Sequence, residues 1–112
     1  MTKLTTHILD TSKGRPAEGV TIILYIGGND KWKEIARTKT NTDGRAAGAV
    51  NGDETLVEGI YKLRFETKDY FDNAQVATFY PYVEIVFEIG NAEHYHVPLL
   101  LNPFGYSTYR GS

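Results

Sequence analysis

The sequence predicts an all-β chain folded as a small sandwich. Three observations carry the prediction. Apolar and polar residues alternate at period two in several short runs. The runs are rich in β-branched and aromatic residues, which suit a pleated, half-buried surface. Clusters of turn-forming residues (TSKGRPAEG, GGND, NTDGR, NGDE and GNAE) separate them at the short spacing of a sandwich or barrel.

Each element follows from its residues. VTIILYI, residues 20–26, is apolar on both faces, as expected of a strand packed in a sandwich or at a subunit interface. A weaker strand is expected over residues 32–38, starting at Trp32. In GIYKLRFET, Tyr61, Leu63 and Phe65 alternate with Lys62, Arg64 and Glu66, so one face is buried. TKDYFDNAQVA is the one helical candidate, with Tyr70, Phe71 and Ala74 directed at the core until FYPY breaks the pattern. YVEIVFEI then places Val83, Ile85, Phe87 and Ile89 on one face and Glu84 and Glu88 on the other. The ending HYHVPLLLNPFGYSTYRGS stays apolar and aromatic almost to its last residue, unlike a frayed terminus, so it is expected to be tied into a sheet or an interface. Pro98, Pro103 and Gly105 predict a kink and a turn there, giving a strand and a hairpin back to Tyr109.

Bulk properties narrow the function. A chain of 112 residues with 41% hydrophobic content has room for one core and enough apolar surface to fill it. The net charge of −2, with Lys3, Lys13, Arg37, Lys62 and Arg110 scattered, argues against nucleic acid as a partner. The lack of cysteine removes disulfides, thiolate nucleophiles and zinc–thiolate sites together. MTKLTTHILD has no apolar signal core and no later run is long enough to span a membrane, so the expectation is a cytoplasmic chain without a membrane partner, or a periplasmic one had a signal been removed. The absence of an Asn-x-Ser/Thr sequon fits that expectation.

Candidate chemistry rests on few residues. The histidines are His7, His94 and His96, and the last two, two apart, share one strand face. Such a pair can contribute to a zinc site, but a third ligand is needed and spacing does not supply it, so no metal is expected. A histidine in a strand is ordinarily half-buried and hydrogen-bonded. Arg45 follows the NTDGR turn, where an exposed arginine is the ordinary outcome and Asn41, Asp43 and Gly44 are explained by the turn itself. NTDG echoes a calcium loop without its remaining acidic ligands. Nucleophile elbows, phosphate loops and HExxH patterns are missing.

LTTHILDTSKGRPA, NTDGR and HYHVPLLLNPFGYSTYRGS together resemble the transthyretin-like 5-hydroxyisourate hydrolases, and LVEGIYKLRFETKDYF resembles the strand-and-helix segment of transthyretin. The likeness spans nearly the whole chain, and the terminal YRGS is its most specific part. The hormone carrier transthyretin lacks that ending and replaces the histidine and arginine positions. The resemblance implies a transthyretin-like antiparallel sandwich of about eight strands with one short helix. It also implies hydrolysis of 5-hydroxyisourate in urate breakdown, with His7, Arg45 and His96 catalytic and Tyr109, Arg110, Gly111 and Ser112 binding the substrate. A homotetramer is implied as well, with these residues lining a channel between two dimers. Tyr82 departs from the family pattern, in which many members carry an acidic residue there.

Opening a ring amide with water requires a base, donors for the oxyanion and an acid for the leaving nitrogen. On this resemblance His7 and His96 share the proton transfers and Arg45 holds a substrate oxygen through its planar fork of donors. Tyr109 and Ser112 offer hydroxyls, Arg110 anchors the tail, and no organic cofactor is needed. The alternatives are a non-enzymatic carrier of a small aromatic ligand in the same channel and, more distantly, an immunoglobulin-like binding module.

Overall fold

The computed structural model describes residues 2–46 and 54–111; Ser112 and most of the expected NGDE turn lie outside them. Within the described residues the order is β1 (Lys3–Asp10), β2 (Arg15–Pro16), β3 (Thr21–Gly28), β4 (Lys31–Lys39), β5 (Gly59–Phe65), α1 (Thr67–Asn73), β6 (Val83–Ile89), β7 (His94–Asn102) and β8 (Gly105–Thr108). Two four-stranded sheets result, β2-β1-β7-β8 and β4-β3-β5-β6.

Period two decides what each strand gives the core. Leu4 and Ile8 of β1 and Val97, Leu99 and Leu101 of β7 meet Ile22 and Leu24 of β3 and Tyr61, Leu63 and Phe65 of β5 in one buried cluster. Each such side chain contributes about 1.5–3 kcal/mol on leaving water. The intervening positions, Thr5 and His7 on β1 and His94 and His96 on β7, face outward and keep partial or full exposure. Ile23, apolar on the other face of β3, is also buried, so the double-sided reading of that strand holds.

One pairing departs from the antiparallel expectation. β1 and β7 run parallel, in a register that sets Thr5 against His96 and His7 against Pro98. The second sheet lies between them in the chain, and a crossover of that length permits a parallel pair. β7 also passes through Pro98 without ending. The Pro98 carbonyl accepts the Thr108 hydroxyl at 2.7 Å, so its missing N–H falls on the same side, where pairing with β8 stops at Leu99 and Thr108.

The turns follow their chemistry. Asn29 and Asp30 both have positive φ between β3 and β4, the geometry of a two-residue type I′ hairpin. β2 forms inside the TSKGRPAEG cluster, where the sequence indicated only a turn, because Pro16 and Arg15 pair with Leu9 and Asp10. The helix is shorter than its candidate segment. Gln75 adopts φ 58°, the amide of Val76 donates to Phe71 and that of Gln75 to Asp72, and this Schellman closure ends it. Phe71 is buried and Tyr70 packs on the core, but Ala74 caps the helix in solvent and Val76 takes the apolar role expected of it.

Candidate active site

The outward face of the β1–β7 pair carries the imidazoles. His7 Nδ1 lies 2.9 Å from His96 Nε2, the rings nearly parallel at 15° with centroids 4.9 Å apart. Thr5 Oγ1 lies 2.7 Å from His96 Nδ1 and 3.0 Å from His94 Nε2. Residues distant in sequence thus form a continuous row, because the parallel register aligns two outward-facing strand segments.

Arg45 is delivered to the row by its turn. Asn41 Oδ1 accepts the amides of Asp43 and Arg45 at 2.9 and 3.1 Å, closing the loop locally. Gly44, at φ 72°, lets it press against β1, where any Cβ would collide with the Ile8 carbonyl. The Ile8 amide donates to the Gly44 carbonyl at 2.9 Å, and Arg45 comes to bridge opposite His7. The turn glycine therefore has a packing role beside its conformational one.

The tail approaches from the other side. The Gly111 amide donates to the His96 carbonyl at 2.7 Å, and a Cβ on Gly111 would meet His96 Cδ2 at 2.5 Å. Only glycine lets the backbone lie across that ring. Arg110 stacks its guanidinium 4.4 Å over the Tyr95 ring, whose hydroxyl accepts the Gly90 amide at 2.9 Å; such stacking fits an anchor for the tail. Tyr109 is 58% exposed beside it. Behind the tail a cavity of about 350 Å³ is lined by Ile85, Phe87, Tyr95, Val97, Tyr109 and Arg110 among others; His7, Arg45 and His96 do not line it.

Burial and neighbouring positive charge hold both imidazoles below their ordinary pKa. His7 is held below its ordinary pKa first by burial and then by the positive charge of Arg45. For His96 burial again acts first, followed by the charges of His7, Arg45 and His94. Neutral imidazole can accept a proton and pass one on, as acid–base chemistry requires.

The structure thus gathers His7, Arg45, His96 and Gly111 at one place, whereas Tyr109 and Arg110 line the cavity with the inward-facing Tyr95 and Val97. Two participants were not singled out by sequence reasoning. Thr5 bridges two histidines, although its only sequence signal was sharing a strand face with His7; Tyr95 supports Arg110 from an inward-facing position. Tyr82 stands apart from the row, where its ring receives the Arg64 guanidinium at 3.8 Å.

Fold and site together define a transthyretin-like sandwich bearing a histidine–arginine cluster on one sheet. The family model described as HIUase/Transthyretin matches residues 4–111, and the chain belongs to that family. A probable 5-hydroxyisourate hydrolase of Caenorhabditis elegans is 50% identical over 110 residues, 97% of this chain and 81% of its own. The solved 5-hydroxyisourate hydrolase of Klebsiella pneumoniae superposes with a TM-score of 0.87 at 41% identity, covering 100% of this chain and 94% of that one. Sea bream transthyretin in complex with thyroxine reaches 0.87 at 32% identity, over 96% of this chain and 93% of its own.

Proposed function

We propose that this protein hydrolyses 5-hydroxyisourate to 2-oxo-4-hydroxy-4-carboxy-5-ureidoimidazoline in urate catabolism. The observation that carries the proposal is the contact of His7 with His96 at 2.9 Å, beside Arg45 and under the tail glycine, in a chain whose relatives are named hydrolases of this compound. A carrier such as the thyroxine-bound relative has no need for paired neutral imidazoles.

The chemistry follows from the residues. A neutral imidazole removes a proton from water as the oxygen attacks the ring carbonyl, the new C–O bond forms and negative charge moves to the carbonyl oxygen. Arg45 is suited to that charge, since its forked donors match a planar oxyanion. Collapse breaks the C–N bond, and the ring nitrogen that took the proton gives it to the departing nitrogen. Gly111 brings the tail against His96 through the hydrogen bond of its amide to the His96 carbonyl.

The assembly we favour is a homotetramer with its sites between two dimers. Support comes from the site lying on an outward sheet face and from large apolar side chains left in solvent at the β7–β8 hairpin of the same sheet, Phe104 at 67% and Tyr106 at 42%.

The test is to generate 5-hydroxyisourate in situ from urate and follow its ultraviolet absorbance. Accelerated decay with this protein is the expected result. Stoichiometric binding with unchanged decay would support the carrier instead.

A further inference from the structure

We propose that Thr5 and His94 are working parts of this site, completing one hydrogen-bonded proton path, His7–His96–Thr5–His94, that reverses direction when His7 changes from base to acid. The proposal rests on the hydrolase reading and deepens it by assigning the two histidines different tasks.

The assignment comes from counting ring nitrogens. Both nitrogens of His96 are engaged, Nε2 with His7 and Nδ1 with Thr5, so neither is left to touch water or substrate. His7 uses Nδ1 for His96, and its Nε2 has no hydrogen-bond partner among the described residues. His7 Nε2 is therefore the atom that meets the attacking water, and His96 is a positioning and relay residue behind it.

A neutral imidazole has one donor and one acceptor nitrogen, and a hydroxyl donates once while accepting as well. The row can then be protonated in two concerted ways. In the first, His7 Nδ1–H donates to His96 Nε2, His96 Nδ1–H donates to Thr5 Oγ1, and the Thr5 hydroxyl donates to His94 Nε2. This leaves a lone pair on His7 Nε2, the base form. In the second every donor is reversed: His94 Nε2–H donates to Thr5, Thr5 to His96 Nδ1, and His96 Nε2–H to His7 Nδ1. His7 Nε2 then carries the proton, the acid form.

One transfer converts the first into the second with atoms in balance. Nε2 of His7 takes a proton from water, each group passes one proton along the row, and Nδ1 of His94 releases one to solvent. His94 is exposed and lies in a surface recess with Lys3, Thr55 and Glu93, so that end of the path is open to water. The ring planes of His94 and His96 differ by only 16° and those of His7 and His96 by 15°, which keeps the row aligned. Burial of His7 and His96 and the positive charge of Arg45 lower the pKa of both rings, which favours the neutral forms that both directions use.

The experiment compares Thr5→Val, Thr5→Ser and His94→Asn in the full-length protein. Thr5→Val keeps the branched shape and removes the hydroxyl, and kcat should fall about tenfold or more with KM little changed; Thr5→Ser should restore most of the rate. His94→Asn should lower kcat in a way that rising concentrations of free imidazole repair, while the unaltered protein stays insensitive to buffer. In the protein alone, the ¹⁵N ring signals of His96 should shift on Thr5→Val. A Thr5→Val protein with undiminished kcat and unchanged His96 ring signals would overturn the path. So would a His94→Asn protein with full activity at low buffer. Failure of the unaltered protein to hydrolyse 5-hydroxyisourate would instead remove the reading beneath it, and the ring signals would still report whether the hydrogen-bonded row exists.

Discussion

His7 and Arg45 illustrate how a backbone contact becomes an electrostatic one. The Gly44 turn sets Arg45 opposite His7, and the guanidinium then joins burial in depressing the imidazole pKa. A depressed value means that the neutral, proton-accepting form persists below pH 6.5, where an ordinary imidazole titrates. The acid limb of kcat/KM is therefore expected below that point, and Arg45→Gln should move it to higher pH by removing a cause of the depression, as a pH–rate profile will show. The cost of Arg45→Gln in rate is separate, since an oxyanion donor is lost too. His96→Asn should lower kcat roughly a hundredfold or more. Its outward position off the core predicts unchanged thermal unfolding, and circular dichroism on the same sample checks this.

At the scale of elements, the tail and the end of β1 are the joints that matter. Gly111→Ala should displace the tail or tilt the His96 ring, because its Cβ would come within 2.5 Å of His96 Cδ2. Steady-state kinetics should show a large fall in kcat/KM at nearly native stability, and a variant with full activity would separate the tail from the site. Asp10, fully buried at the end of β1, ties the strand to the helix: its carboxylate accepts the Tyr70 hydroxyl at 2.7 Å and the Ser12 hydroxyl at 2.5 Å. Burial alone would raise its pKa, but these bonds and the amides of Ser12 and Lys13 outweigh burial and lower it. The stabilisation is thus complete above pH 3.8, where an ordinary aspartate titrates, and is lost as pH falls through the lower folded value. Asp10→Ala should cost about 2–3 kcal/mol in urea unfolding at neutral pH, by stranding the Tyr70 hydroxyl and the turn amides.

At the scale of the whole molecule, assembly and catalysis are expected to be linked. If the sites lie between dimers, specific activity should drop on dilution at the concentration where light scattering shows the four-chain particle dissociating; activity persisting in single chains would place the whole site within one subunit. Much of this architecture was legible beforehand. The alternation in β5 and β6 is a local property of the chain, so it showed which of their residues share a face; two-residue spacing put His94 and His96 on one face, and the apolar content and prolines of the ending marked an ordered strand and hairpin. Periodicity did not show β2, whose two residues are strand-like only because β1 lies beside them, nor the early end of α1, which a left-handed Gln75 imposes. The histidine and arginine positions came from likeness to a family rather than from spacing. What the sequence by itself determined was the class of fold and which residues of its alternating strands share a face. Only the tertiary structure decided that β1 and β7 are parallel neighbours in the register that joins Thr5 to His96 and His7 to the same ring, residues 91 and 89 apart. Strand periodicity is set by neighbouring residues, but the choice of partner is set by the shared core of two sheets, and that choice is made by the chain as a whole.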